Sequence, residues 1–98
     1  MNGKKYELLQ DQTTEWRGRT LYRICALRDF GNVHAGDVGG YIECEHNLSQ
    51  DGNAWVYDNA LVCGNALVYG NAWVYDNARV CGDALVCGNA GVCGDADG

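Results

Sequence analysis

Proline is absent from these 98 residues, phenylalanine and methionine occur once each, and histidine occurs only at positions 34 and 46. Basic residues are also few: seven Lys and Arg face thirteen Asp and Glu, for a net charge of −6. A protein that grips phosphate backbones needs a basic stripe, so this balance argues against direct nucleic-acid binding. No apolar run is long enough to span a membrane, and Met1–Asp11 carries no secretory signal pattern. Those two absences point to a cytoplasmic protein with no membrane partner. Six cysteines are present, yet none falls in a CxxC pair of the metal or redox type. His34 and His46 both precede the repeats, so repeats alone cannot assemble a three-histidine zinc site within one chain. No metal and no cofactor are expected.

What the chain has is repetition. From Gly52 it reads GNAWVY, DNALVC, GNALVY, GNAWVY, DNARVC, GDALVC, GNAGVC and then a clipped GDADG. Self-similarity at a fixed period decides architecture ahead of local propensity. Val56, Val62, Val68, Val74, Val80, Val86 and Val92 form one unchanging column, and Ala54, Ala60, Ala66, Ala72, Ala78, Ala84 and Ala90 form another. A strict period of six with a turn residue in every unit denies the 3.6 period of a helix. A short strand centred on Val, closed by a turn of Gly or Asp with Asn or Asp, fits instead. Ala and Val are two apart and share one side of an extended segment, while the residues flanking Val face the other way. Small Ala lets the corner bend and Val fills the wall. The chain is therefore read as an all-β, parallel β-solenoid.

The pattern resembles hexapeptide-repeat proteins, whose left-handed β-helix uses three hexapeptides per triangular coil. Handedness and the three-sided section are implied by that resemblance. With 18 residues per coil, positions 18 apart stack about 4.8 Å from one another. Trp55 and Tyr57 then lie over Trp73 and Tyr75, followed by Gly91 and Cys93. Leu61 and Cys63 lie against Arg79 and Cys81, and Leu67 and Tyr69 against Leu85 and Cys87. Asn53, Asn71 and Asn89 are expected to form a side-chain ladder at one corner. Cys63 and Cys81 become neighbours, expected as reduced, semi-buried thiols, with a disulfide left open by the sequence.

Residues 1–35 read as an N-terminal β-hairpin cap and residues 36–98 as the solenoid, regular from residue 52. Lys5–Leu9 looks like a short strand, and Thr13–Trp16 and Thr20–Leu27 flank a turn at Arg17-Gly18-Arg19. Counting back in sixes places Val38, Ile42, Cys44 and Leu48 in the inward phase of a degenerate first coil. Such a cap covers apolar core and strand edges that a solenoid end exposes. At the other end Asp95 and Asp97 stand without a capping helix. Either their charge protects that end or the end meets another molecule.

Gly36–Ala60, GDVGGYIECEHNLSQDGNAWVYDNA, resembles the leader of a group of bacterial, phage and prophage hexapeptide-repeat proteins. In that group a GGYIE…NLSQ…WVYDNA stretch precedes NARVYG-type repeats. This chain departs from the group in being short and in placing Cys where Tyr or Ser is more usual. Members often carry an acyltransferase label on the strength of the repeat alone, and a fold does not carry a function.

Two features point to binding. Residues 51–98 hold six Asp against one Arg, while residues 1–50 are nearly balanced, so the solenoid is the acidic part. Trp55, Tyr57, Trp73 and Tyr75 are expected to face outward, with Tyr69 on the neighbouring face, and exposed Trp and Tyr clusters mark contact surfaces. Asp58 and Asp76, stacked at a corner, either bind a cation or are solvated turn residues. The expectation is a non-catalytic, phage- or mobile-element-encoded module. It would bind a host protein through Trp55, Tyr57, Trp73, Tyr75, Tyr69, Asp58 and Asp76, in one form by mimicking a nucleic-acid backbone. The alternatives are a self-assembling element, such as a homodimer, and an acyltransferase using His34 or His46 as base.

Overall fold

The computed structural model describes residues 4–93 and 95–97, the last three by their backbone alone. Its two longest strands form an antiparallel hairpin, β1 (Tyr6–Trp16) and β2 (Arg19–Ala26). Arg17 and Gly18 link them with φ of 53° and 79°. Two successive left-handed residues make the turn whose twist suits a two-residue hairpin, which is why glycine stands there. β1 is one strand rather than the two segments expected at Lys5–Leu9 and Thr13–Trp16. The pairing register instead shifts between Leu9 and Thr13, within a single continuous element.

β2 pairs antiparallel with β3 (Val38–Ile42), and from there the sheet turns parallel. The hexapeptides give β4 (Trp55–Val56), β5 (Leu61–Val62), β6 (Leu67–Val68), β7 (Trp73–Val74), β8 (Arg79–Cys81), β9 (Leu85–Val86) and β10 (Gly91–Val92). A last strand, β11 (Asp95–Asp97), closes the series. They sort into three sheets: β4 beside β7 and β10, β5 beside β8 and β11, and β6 beside β9. Registers are 18 residues throughout, with Trp55 on Trp73, Leu61 on Arg79 and Leu67 on Leu85. The all-β solenoid expected from the period of six is present, with the three walls per coil that the resemblance implied. Side chains of Asp95 and Asp97, to which the sequence assigned a protective role, lie outside the described residues.

Val56, Val62, Val68, Val74 and Val80, with Ala54, Ala60, Ala66, Ala72 and Ala78, are fully buried and form the solenoid's core. Every corner needs a left-handed residue. Gly52, Gly64, Gly70, Gly82 and Gly88 supply it, and Asp58 and Asp76 adopt the same conformation at φ 58° and 59°. Asp is one of the few side-chain-bearing residues that visits this region readily, because its short carboxylate bonds locally. Here the Asp58 carboxylate accepts from the Asp76 backbone N–H at 3.2 Å, and Asn71 donates to Asn89 at 3.4 Å in the expected ladder.

The first coil differs from the count in sixes. Ile42 pairs with Val62 and Leu48 with Val68, offsets of 20 residues rather than 18. Two extra residues lie between Leu48 and Val56, so Ile42 and Leu48 fill the Val slots. Val38 and Cys44, assigned to the inward phase, are exposed. The Ala slot beneath Ala60 falls to Gly40. A Cβ there would approach the Ala60 carbonyl oxygen to 2.5 Å and the Val56 Cγ1 to 2.7 Å, so only glycine fits.

Backbone polarity explains the segment before the regular repeats, residues 4–51 (the leader). Each coil's N–H groups donate to carbonyls of the following coil, as in Trp55 N–H to Ala72 O at 3.2 Å and Leu61 N–H to Ala78 O at 2.8 Å. The first regular coil consequently points its carbonyls at the leader and requires donors from it. Tyr41, Glu43 and Ser49 give backbone N–H groups to Ala60, Val62 and Val68. At the second corner Asn47, fully buried in a short 3-10 turn (Glu45–Asn47), donates to Gly64 O at 3.2 Å and Ala66 O at 2.8 Å. Its Oδ1 accepts from the N–H groups of Glu43 and Cys44, both at 3.0 Å. Above β4 no strand pairs among the described residues, and the Lys5 ammonium donates to Ala54 O at 2.8 Å in its place.

Candidate functional site

The same missing strand decides what happens to the aromatic wall. Trp55 faces outward from the solenoid, as the alternation requires, but it is only 2% exposed. Tyr6 and Phe30 meet its ring edge-on, at centroid separations of 6.1 and 5.3 Å. Gly39 lies against the same ring, where a Cβ would come within 2.8 Å of the indole carbons. The expectation that Trp55 belongs to an open contact face is therefore corrected: the leader uses it as its anchor on the solenoid. Such edge-to-face pairs add to the apolar area they bury.

One coil further on, the leader no longer reaches. Trp73 is 41% exposed, although it occupies the same repeat slot and pairs in register with Trp55. It borders a shallow groove of about 310 Å3 with Tyr57, Asn53, Asn71 and the leader residues Gly31 and Asn32. On its other side stands Gly91, whose absent side chain leaves the indole edge open: a Cβ there would sit 3.3 Å from Trp73 Nε1. Three primary amides, a phenol and an indole thus line one depression with no charged side chain among them. Asn32 could not have been found from the repeat, because it comes from the loop between β2 and β3.

Other candidate residues arrange themselves around this groove. Tyr57 is half-buried, and burial, helped by the Asp37 charge, raises its hydroxyl pKa above the usual phenol value. Tyr75, also half-buried, is held above the usual value chiefly by a hydrogen bond with the Cys93 side chain. Asp58 and Asp76 are exposed at the corner that follows Tyr57 and Tyr75. Tyr69 stays on a different wall, beside Cys87, whose hydrogen bond raises its hydroxyl pKa. The structure so brings Tyr57 and Trp73 to one groove, places Tyr75, Asp58 and Asp76 beside it, and leaves Tyr69 elsewhere.

His34 and His46 are exposed on separate leader segments, and neither lines the groove. Among the described residues, no three His, Cys, Asp or Glu side chains come together in a metal-holding group. Nor, among the described residues, is any helix long and apolar enough to cross a membrane.

Two comparisons bear on identity. Residues 60–76, 72–88 and 78–94 match the YdcK β-solenoid repeat. A stretch of 49 residues, 49% of this chain, is 47% identical to the uncharacterised acetyltransferase YdcK of Escherichia coli strain K12. That stretch spans 15% of the relative, so this chain covers only a small part of the relative's length.

Proposed function

We propose that this protein is a non-catalytic contact module that binds a partner protein through the wall centred on Trp73. The observation that carries this reading is the contrast within one register pair: Trp55 is sealed under the leader, and Trp73 is left open beside Tyr57 and Tyr75. Large aromatic side chains held on rigid strands lose little entropy when a partner covers them, and such residues dominate binding energy at interfaces. The exposed carboxylates of Asp58 and Asp76 form an acidic rim to that wall, which favours a partner with a basic surface. In the narrower form of this proposal the partner is a host nucleic-acid-binding protein, and the chain is carried by a phage or mobile element. The acetyltransferase name of the Escherichia coli relative raises acyl transfer for this chain too, but the groove holds no His, Cys, Asp or Glu, and its one hydroxyl, on Tyr57, has a raised pKa.

A photo-crosslinking side chain at position 75 is the test. The expected result is one discrete covalent adduct with a partner protein, lost in Trp73→Ala and weakened by salt and by Asp58→Asn with Asp76→Asn. Capture that survives Trp73→Ala unchanged overturns the reading.

A second reading, self-assembly, is favoured by the third wall, where Leu85 is 63% exposed beside Tyr69. Light scattering across a concentration series separates the two. A defined dimer that Leu85→Glu dissolves supports self-assembly, and a monomer at all concentrations removes it.

A further inference from the structure

We propose that Cys63 and Cys81 form a reversible dithiol–disulfide site, closed by peroxide, that staples one coil of the solenoid to the next. Both are free thiols, both are buried, and their sulfur atoms are 2.9 Å apart. Cys63 follows β5 and Cys81 ends β8, whose pairing of Val62 with Val80 sets the two cysteines side by side. Parallel in-register neighbours have backbones about 4.8 Å apart, which lies inside the roughly 4.4–6.8 Å window that a disulfide bridges. Closing the bond requires the sulfurs to approach to about 2.05 Å, a movement that side-chain rotation supplies. Nowhere else do the repeats stack cysteine on cysteine: Cys87 lies over Tyr69 and Cys93 over Tyr75.

Access comes from a groove of about 380 Å3 between the hairpin turn and this corner, lined by both cysteines with Arg17, Arg19, Gly64 and Gly82. Gly64 and Gly82 put no side chain over the sulfurs. The guanidinium of Arg19 also lines this groove, paired with Glu43 by two 3.0 Å contacts, and at Cys63 the Glu43 carboxylate outweighs it. Cys81 is 8% exposed against 2% for Cys63, so peroxide entering the groove meets Cys81 first and Cys81 is the attacking sulfur.

The chemistry balances with hydrogen peroxide as the oxidant. Cys81 gives up its proton, and its thiolate attacks one peroxide oxygen. The O–O bond breaks and the departing hydroxide takes up that proton as water. Cys81 now carries a sulfenic acid. Cys63 Sγ attacks that sulfur, the S–O bond breaks, and the oxygen leaves as a second water with the Cys63 proton. Two thiols are oxidised by two electrons, and one peroxide is reduced to two waters. The ring so closed joins two positions one coil, 18 residues, apart, and tying it restricts the unfolded chain.

The experiment uses the full folded chain and a second full chain carrying Cys25→Ser, Cys44→Ser, Cys87→Ser and Cys93→Ser. Each is treated with hydrogen peroxide and followed by intact mass and fragment mapping. The expected product has lost two hydrogens, links residue 63 to residue 81, melts at a higher temperature, and returns to the parent mass with dithiothreitol. In Cys63→Ser, a sulfenic acid trapped by dimedone at Cys81 is expected instead. Folded protein that keeps both thiols while peroxide consumes the exposed Cys44 and Cys87 overturns the proposal. So does a 63–81 link that forms only in denaturant.

Discussion

The Lys5 ammonium and the Ala54 carbonyl oxygen, 49 residues apart in sequence, meet at 2.8 Å inside the protein. Their bond stands where the solenoid would otherwise have another strand. The same ammonium lies 3.4 Å from Asp51 O and 4.8 Å from the centre of the Phe30 ring, so it ties the corner, the wall and the leader loop together. Lys5→Met keeps the stem's packing and removes every donor. A charged donor serving buried carbonyls is worth about 1.5–3 kcal/mol, and leaving its acceptors unpaired adds to the loss. Denaturant unfolding of Lys5→Met is therefore expected to show a loss of roughly 2–4 kcal/mol, and a loss below about 0.5 kcal/mol refutes the capping role.

The alkaline limb of stability follows from two opposite shifts. Burial, followed by repulsion from Arg28, lowers Lys5 from 10.5 to about 8. Between those values the unfolded chain holds more protons than the folded one, so Lys5's contribution to stability rises with pH. Cys63 moves the other way, from 9.0 to about 12, so its contribution is complete below pH 9 and is lost as pH rises toward 12. Unfolding curves for Lys5→Met and for the parent are expected to diverge further as pH climbs from 8 to 10. Those for Cys63→Ala and the parent converge above pH 9. Parallel curves in either pair contradict the corresponding burial.

Asn47 gives a sharper test, because its two ends face opposite partners. Its amide nitrogen meets two carbonyls and its oxygen meets two N–H groups. Asn47→Ala loses all four bonds, while Asn47→Asp keeps the acceptor and sets a carboxylate against Gly64 O and Ala66 O. Burial and those carbonyls raise the new carboxyl's folded pKa, so its stability is present at acid pH and declines as pH passes its unfolded value. At pH 7 Asn47→Asp is expected to be the less stable variant, by about 1 kcal/mol or more, and to recover toward pH 4. A variant as stable as the parent at pH 7 rules out the arrangement.

The uneven legibility of the sequence has a physical origin. The short strands and the buried Val and Ala columns were readable because every repeat faces the same packing problem and answers it with the same residues, while the three walls and the 18-residue registers came with the family resemblance. The leader solves a different problem, the pairing of one coil's carbonyls, and solves it once. Lys5 and Asn47 carry no periodic signal for that reason, and the two extra residues between Leu48 and Val56 put Val38 and Cys44 out of phase. Only Gly39-Gly40 hinted at it, since two adjacent glycines within a strand imply a close backbone approach. Asn32 reaches the groove from an irregular loop, which no spacing rule addresses.

Corner chemistry makes a further prediction at Gly88, where φ is 66° and nothing lies within 4 Å of a prospective Cβ. Sterics around the site are therefore silent and only the backbone conformation is being tested. Alanine in the left-handed region costs about 1–2 kcal/mol, and Asp or Asn less. Gly88→Asp is expected to be more stable than Gly88→Ala, matching the use of Asp58 and Asp76 at this slot. Equal thermal midpoints for the two variants refute that account.

Trp55 and Trp73 offer the most direct comparison, because they are identical residues at the same repeat position, paired in register on neighbouring strands. Their different exposure comes from how far the leader extends on one side and from Gly91, with no side chain, on the other side of Trp73. Trp55→Ala empties a site packed by Tyr6 and Phe30, and large-to-small changes of a buried Trp cost about 3–5 kcal/mol. Trp73→Ala removes a side chain that water already reaches, and surface changes of this kind are usually within about 0.5 kcal/mol. Urea titrations are expected to show a lowered midpoint for Trp55→Ala and a midpoint close to the parent for Trp73→Ala. In a Trp16→Phe background each remaining indole reports separately: Trp55, with Trp73→Ala, emits from an apolar site and resists acrylamide quenching, while Trp73, with Trp55→Phe, is quenched readily. A Trp73 that proves as protected as Trp55 removes the open aromatic wall, and with it the basis for a partner binding there.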